Sequence, residues 1–444
     1  MNATEPKPQR WTAFANDYGM VLVLLFLIAA FSVLTLERQS STGADAGQVV
    51  AGNIIATHGP STTVVVVAGL KPPDEAFLRE ATDALRAAGV TVAATIGGKP
   101  ADARRTIERV LQEGHSIDAI AATGEAANWS IYDRFESVGS NKCVSAAPAL
   151  WPTFAKSENV LNVANQTAIY AIIAIGMTMV IITAGIDLSV GSLVALAAVA
   201  TAVFIRDTGA GTQTGVGLMI VGCCVGMGVC AVAGVFNGAM ITRLGIPPFI
   251  ATLAMMLMAR GMARRLSDEL SIQALPASFT WIGGAATFGI PNPVILMVVL
   301  YAVAHFVMSR TVFGRYVYAV GGNAEAARLS GVPVKRVTVV VYTLCGALAG
   351  LGGIVQSSKL GSGDPKLGLM FELDVIAAVV VGGTSLMGGE GRIFGTLIGA
   401  FIIAVIKNGM NLMKVGAPEQ QIVLGAVVLL AVLVDTLKRR GMTR

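Results

Sequence analysis

An aspartate at position 187 sits inside Thr-Ala-Gly-Ile-Asp-Leu-Ser-Val-Gly-Ser, residues 183–192, between two apolar stretches. A carboxylate at a bilayer centre costs roughly 2.5–3.5 kcal/mol, so its retention marks a functional position. Three roles suit an acid flanked by Gly185 and Gly191: a gate, an acceptor for substrate hydroxyls, or, with Ser189, a cap on the following helix. Further along, Asn237, Thr252, Asn408 and Asn411 are uncharged polar side chains within apolar runs. Such groups suit a passage for a neutral polyol, which needs hydrogen bonds and no counter-ion. Each equally suits an interhelical hydrogen bond. A third constellation is Gly321-Gly322-Asn323-Ala324-Glu325-Ala326-Ala327-Arg328-Leu329-Ser330-Gly331-Val332-Pro333. Asn323 reads as an N-cap, Glu325 suits the positive helix end, and Gly331 and Pro333 terminate the run. The spacing predicts a two-turn helix outside the membrane. It is either a rigid knob for a partner's groove or an interfacial helix between spans.

Catalysis has no comparable footing. No Gly-x-x-x-x-Gly-Lys-Ser/Thr run exists to cradle phosphates, and no nucleophile–base or metal constellation is present. Of the five cysteines, Cys223, Cys224, Cys230 and Cys345 lie in apolar runs and Cys143 stands alone, so neither a metal spacing nor a disulfide framework is expected. Energy for any work must come from a separate polypeptide or an ion gradient.

The elements that carry these residues are membrane spans. The chain has 444 residues, 54% hydrophobic and only 13% charged, with a mean hydropathy of +0.69. A soluble domain carries about a quarter charged residues. Apolar segments at 18–36, 166–184, 189–205, 215–242, 247–266, 292–309, 336–356, 372–388, 393–412 and 420–437 predict an α-helical polytopic protein with about ten transmembrane helices. The segment 372–388 is the weakest, running into Gly382-Gly383 and Gly388-Gly389. The first span reads as uncleaved, because it is long for a signal peptide and Glu37-Arg38 follows directly. Arg310, Arg315, Arg328, Lys335 and Arg336 place the loop 310–336 in the cytoplasm, and Lys438, Arg439, Arg440 and Arg444 place the tail 438–444 there. Lys7 and Arg10 put the N-terminus inside too. Arg260, Arg264 and Arg265 fall on the outer side and oppose this orientation. Gly222, Gly226, Cys230, Gly234 and Gly238 form a small-residue stripe for close helix packing within the bundle rather than a dimer seam.

Residues 37–150 are different in kind. The stretch 37–156 is near −2 in charge while the remainder is near +7, against a total of +5. A basic membrane part fits loops facing anionic lipid or a protein partner. Nucleic acid is not indicated, since no basic and aromatic cluster appears. Short β-rich runs at 62–68, 90–96, 117–122 and 143–147 alternate with helices. One helix has Pro73-Asp74-Glu75 in its first turn, and another starts near Pro100 and ends at Gly114. That rhythm predicts an inserted α/β domain with a mostly parallel sheet. With six crossings before residue 310, it lies outside.

Glu325-Ala326-Ala327, three residues, then Gly331 is similar to the loop by which ABC importer permeases engage their ATPase subunits. The surroundings resemble the ribose/xylose/galactoside branch of the branched-chain amino-acid/ribose permease family: Gly-Ile-Asp-Leu-Ser-Val-Gly-Ser, Phe313-Gly314-Arg315-Tyr316, Gly321-Gly322-Asn323, Ile246-Pro247-Pro248-Phe249-Ile250-Ala251-Thr252-Leu253, Gly382-Gly383-Thr384-Ser385-Leu386 and Asn408-Gly409-Met410-Asn411-Leu412. The likeness covers residues 1–36, the N-terminal tail and first span, and the permease core 151–437. It implies a permease half in the bacterial inner membrane, paired with a second permease subunit and expected as a homodimer. It further implies two ATPase subunits that carry ATP and Mg, and a periplasmic substrate-binding protein, so this chain is not itself an enzyme and holds no cofactor or metal. Gly314, Arg315, Gly322, Asn323, Glu325, Ala326, Ala327, Arg328, Ser330 and Gly331 would contact the ATPase. Asp187, Ser189, Asn237, Phe249, Thr252, Asn408 and Asn411 would line the pathway or gate. A monosaccharide or small polyol is the expected cargo, with a nucleoside, an autoinducer or a branched-chain amino acid as alternatives, and an ion-driven secondary transporter as the rival class. Two features depart from the family. Lys407 stands where the pattern is Asn-like, and either snorkels outward or alters what passes. The insert resembles part of one lobe of a sugar-binding receptor; docking of the binding protein or self-association is favoured over direct sensing or an inert appendage. Glu372-Leu-Asp374 is expected at the outer end of its span, as an interface or receptor contact.

Overall fold

The computed structural model describes residues 10–39, 42–135, 138–208, 215–273 and 275–442. Lys7 and Arg444, part of the charge pattern used for orientation, lie outside the described residues. The chain forms two compact units, Met1–Thr35 with Phe154–Arg444, and Leu36–Thr153.

Helix α1 (Arg10–Leu34) leads into the second unit. There, β1 (Leu36–Gln39) is followed by α2 (Ala44–His58), β2 (Thr63–Ala68), α3 (Pro72–Ala87), β3 (Thr91–Gly97), α4 (Pro100–Gln112), β4 (Ala119–Ala122), the single turn α5 (Gly124–Ala127), β5 (Cys143–Val144) and β6 (Ala149–Pro152). Strands β3-β2-β4-β5 pair in that order, all parallel. The valine run of β2 shows why. Val64 and Val66 pack with α2 and α3, whereas Val65 and Val67 pack with α4. Alternate side chains therefore enter two cores, and both sheet faces are covered. Helices α3 and α4 start alike: prolines occupy the first turn, and Asp74 and Asp102 each accept the backbone N–H of the preceding lysine at 3.0 Å. Three sequence-predicted strands agree with β2, β3 and β4 within two residues, but the fourth shrinks to Cys143–Val144. The antiparallel pair β1–β6 joins the two ends of this unit.

The first unit continues with α6 (Ser157–Ile182), α7 (Val190–Thr208), α8 (Val216–Leu244), α9 (Pro248–Leu266), the short α10 (Thr280–Gly284), α11 (Asn292–Arg310), α12 (Val312–Gly322), α13 (Ala324–Leu329), α14 (Val334–Leu360), α15 (Phe371–Val381), α16 (Ile393–Leu412) and α17 (Ala417–Met442). Among the described residues, six helices are long and apolar enough to cross a membrane: α6, α7, α8, α11, α14 and α16. Gly19–Leu34 and Ala417–Leu433 are shorter apolar helices. Helix α9 carries three arginines, and α15 has only 11 residues. At 1.5 Å per residue α15 rises about 16 Å, half the hydrocarbon thickness. The expected continuous span 372–388 is thereby corrected: the helix stops at Val381, and a glycine-bearing turn follows.

Two breaks organise this bundle. Along α14, Val339 lies against Gly238, Tyr342 against Gly185, Cys345 against Gly176, and Gly353 against Val194. Tyr342 to Gly353 is a rise of about 16 Å. The chain after α6 therefore doubles back beside α14 as an unwound stretch, 183–189, and α7 begins a little past the middle of α14. The second break mirrors the first. After α14, Gly363 lies against Ala198 and Ala202, and Gly368 against Gly191. The stretch 361–370 thus descends beside α7, and α15 starts where α7 starts. From there α7 and α15 run to opposite ends; the turn after α15 returns to α6, where the Gly389 N–H donates to the Ile182 carbonyl at 2.8 Å. A Cβ on Gly191 would strike Glu372 and the Gly368 carbonyl, so this crossing needs bare backbone. Helix α9 holds both unwound stretches: Thr252 Oγ1 donates to the Ile186 carbonyl at 3.2 Å, and Arg260 Nη1 donates to the carbonyls of Pro365 and Leu367 at 2.9 and 2.6 Å. Arg260 is therefore a brace inside the bundle, which removes it from the loop charges that opposed the orientation. The stripe on α8 packs internally, Gly226 on Thr201, Gly234 on Tyr342 and Gly238 on Val339.

Candidate functional site

Asp187 lies in the unwound stretch before α7 and is 0% exposed. Its Oδ1 accepts the Ser189 backbone N–H at 2.9 Å and the Ser189 hydroxyl at 2.5 Å. The Ser189 carbonyl in turn accepts the Leu193 N–H at 2.9 Å, so Asp187 shapes the turn that starts α7. Asn237 Nδ2 donates to Ser189 Oγ at 3.3 Å. Asp187 Oδ2, Asn237 Oδ1 and the Tyr342 hydroxyl are buried and without a hydrogen-bond partner among the described residues. Buried polar atoms in native proteins are paired, commonly through an ordered water. With Thr252 on the Ile186 carbonyl, four of the seven pathway candidates converge on one polar knot. The other three do not join it. Phe249 is exposed in the first turn of α9. Asn408 exchanges two hydrogen bonds with Asn159, at 2.9 and 3.0 Å, and Asn411 accepts from Gln420 at 2.7 Å. Both lie near the end of α16 at which α6 begins.

The helical loop is built by its own caps. Thr311 Oγ1 accepts the Gly314 N–H at 3.3 Å to start α12, and Gly314 packs against Met308 where a side chain would not fit. Asn323 Oδ1 accepts from the N–H groups of Glu325 and Ala326, at 3.1 and 2.9 Å. Gly331 closes α13 at φ +84°, with Val332 N–H on the Ala327 carbonyl. Ala327 is buried, while Arg315, Gly322, Asn323, Glu325, Ala326, Arg328, Leu329, Ser330 and Gly331 are exposed. Arg328 hydrogen-bonds Glu325, and its guanidinium holds the Glu325 carboxyl below the usual range. Gly321 lies against the Ile182 carbonyl and Gly389. A cavity of about 310 Å³ opens at this corner, bounded by Thr183, Gly185, Gly321, Asn323, Thr338 and Tyr342. Helix α13 thus follows on α12, whose Gly321 meets the end of α6 at Ile182, and the 183–189 stretch continues from there to the start of α7.

Two expectations are corrected. Glu372 and Asp374 are not at the outer end of a span: Glu372 lies against Gly191 at the crossing, and Asp374 accepts from Lys407 at 2.6 Å. Lys407 accordingly does not snorkel outward. Tyr342, Arg260 and Asn159 were missed. Arg260 alone left a signal, a cation in an apolar run; Tyr342 and Asn159 gain their roles only from distant partners.

Two helices that start from unwound stretches inside an apolar bundle, with a capped knob at one end, are the architecture of a membrane permease. The chain belongs to the family described as branched-chain amino acid transport system / permease component, which matches residues 159–433. It is 42% identical to the ribose import permease protein of Escherichia coli (strain K12) over 303 residues, 67% of this chain and 91% of that protein. It is 45% identical to the ribose import permease protein of Bacillus subtilis (strain 168) over 289 residues, covering 65% and 87% of the two chains. The xylose transport system permease protein of Escherichia coli (strain K12) is 35% identical over 354 residues, covering 65% and 88%. No solved structure matches. These relatives and the apolar helices make this chain a multi-pass transport subunit of a bacterial inner membrane rather than an enzyme.

Proposed function

We propose that this chain is the permease subunit of an ATP-driven importer for a monosaccharide of the ribose, allose or xylose class. The observation that carries the reading is α13, a self-capped knob whose exposed face holds Glu325, Ala326 and Arg328 and which follows directly on α12, where Gly321 lies against the Ile182 carbonyl at the end of α6. A separate ATPase subunit, holding ATP and Mg, would seat this knob. Its motion would pass through Gly321 to the stretch 183–189, and so to the crossing of α7 and α15, giving alternating access. A second copy of the chain and a periplasmic substrate-binding protein complete the assembly. Ten crossings follow if each unwound stretch and the helix after it together count as one, with both termini cytoplasmic and the Leu36–Thr153 unit serving as an inserted periplasmic α/β domain.

Affinity purification of the tagged chain in mild detergent, with mass spectrometry of its companions, tests the assembly. An ATPase and a secreted receptor should co-purify, and sugar titrations on that receptor should give saturable binding. A chain that purifies alone and takes up solute in vesicles energised only by an ion gradient overturns the reading. A receptor that binds a nucleoside, an autoinducer or a branched-chain amino acid instead would redirect the substrate alone.

A further inference from the structure

Lys407 on α16 and Asp374 in the first turn of α15 form an ion pair at 2.6 Å inside the spanning bundle. Lys407 Nζ also lies 5.3 Å from the centre of the Tyr170 ring on α6, and that ring meets Phe371 at 4.5 Å, tilted by 49°. The pair is not sealed: the side chains keep 28% and 16% of their surface open. Beside it, Leu369, Met370 and Leu373 are 57%, 50% and 51% exposed. Charges left open to hydrocarbon are expensive, so this side of α15 faces either water or another protein surface. A solute path between two copies of the chain supplies both. The opening lies at the start of α15, where α7 and α15 both begin from unwound stretches, and that is where an alternating-access site belongs.

Resting on the monosaccharide reading, we infer that Lys407, Asp374, Tyr170 and Phe371 form a sugar-contacting station in the path, and that they set which sugar passes. The chemistry is matched to a neutral, hydroxyl-rich ring. Asp374 accepts from hydroxyls, Lys407 donates to them, and the two aromatic rings offer an apolar face to the sugar's C–H groups. Because the pair is already neutral, it offers no net charge to an ionic solute.

The test separates recognition from a structural ion pair. Vesicles containing the whole importer, with saturating receptor loaded with ribose, xylose or allose, give the ratio of maximal uptake rates, which receptor affinity does not enter. The charge-swapped variant D374K/K407D retains a pair and should keep the melting temperature of the purified chain. Its ratio between two sugars should shift by about tenfold or more, since groups that hydrogen-bond a substrate discriminate strongly. Tyr170→Leu, which leaves both charges in place, should shift the ratio in the same assay. Wild-type ratios in a folded charge-swap, or in Tyr170→Leu where the swap does not fold, overturn the station. Wild-type vesicles that move none of the three sugars, yet move another receptor-delivered solute on ATP, overturn the monosaccharide reading instead.

Discussion

Asp187 is fully buried with no cation paired to it among the described residues, and its geometry favours one of its three candidate roles. Oδ1 is committed to the Ser189 N–H and hydroxyl, the arrangement of a side chain that sets a turn rather than one left open for a solute. Asp187→Ala would strand both donors in a closed site, at a cost of about 1–3 kcal/mol. Asp187→Asn keeps an acceptor for Ser189 and puts an N–H₂ in place of the unpartnered Oδ2. Thermal melting of the solubilised chain should therefore rank wild type and Asn together and Ala clearly below. An Asn variant as weak as Ala would show that the charge itself is needed. Gly331 poses a simpler question. At φ +84° a β-branched side chain is strained by roughly 1–2 kcal/mol. Gly331→Val should therefore distort the C-terminal cap of α13 without touching the core, because nothing lies within 4 Å of a Cβ there. The expected outcome is a folded protein that uses more ATP per solute moved; an unchanged ratio in vesicles would remove α13 from energy coupling.

Among the elements, the helical loop and the valine strand were readable because their causes are local. Asn323 and Gly331 lie at the boundaries they create, and Val64–Val67 are apolar on both sheet faces. Helix α2 escaped notice because Ala44–His58 mixes alanine and glycine with few large apolar residues, though Val50 and Ile54 are fully buried. The unwound stretches were unreadable for a different reason. Stretches 183–189 and 361–370 are unwound because α9, far along the chain, supplies Thr252 and Arg260 to their carbonyls. No local pattern encodes such a partner. The knot was half legible: its polar types stood out in apolar runs, but their meeting around Ser189, and the part played by Tyr342, depend on three helices packing together. The crossing makes the glycines differ by position. Gly191→Ala forces a Cβ into Glu372 and the Gly368 carbonyl, and should lower the melting temperature and uptake. Gly228→Ala, on a face of α8 with nothing within 4 Å, should be neutral or stabilising by up to about 1 kcal/mol. Equal effects at the two sites would argue against the crossing.

At the scale of the molecule, the ends of the bundle that flank the second unit already touch. The Phe154 N–H donates to Thr35 Oγ1 at 3.1 Å, and the Phe31 and Phe154 rings stack with centres 6.0 Å apart. The bundle therefore does not need residues 36–153 to bring α1 and α6 together, and that unit has two cores of its own, one on each sheet face. Replacing it with a short glycine–serine link between Thr35 and Phe154 should leave a chain that inserts, melts as the full-length bundle does and still binds its ATPase. If the unit helps to seat the periplasmic receptor, the deletion should abolish most of the stimulation of ATP hydrolysis by sugar-loaded receptor while sparing hydrolysis in its absence. Undiminished stimulation would remove the docking role. A bundle that fails to fold would instead make the unit part of the permease's own architecture, contrary to the contact between Thr35 and Phe154.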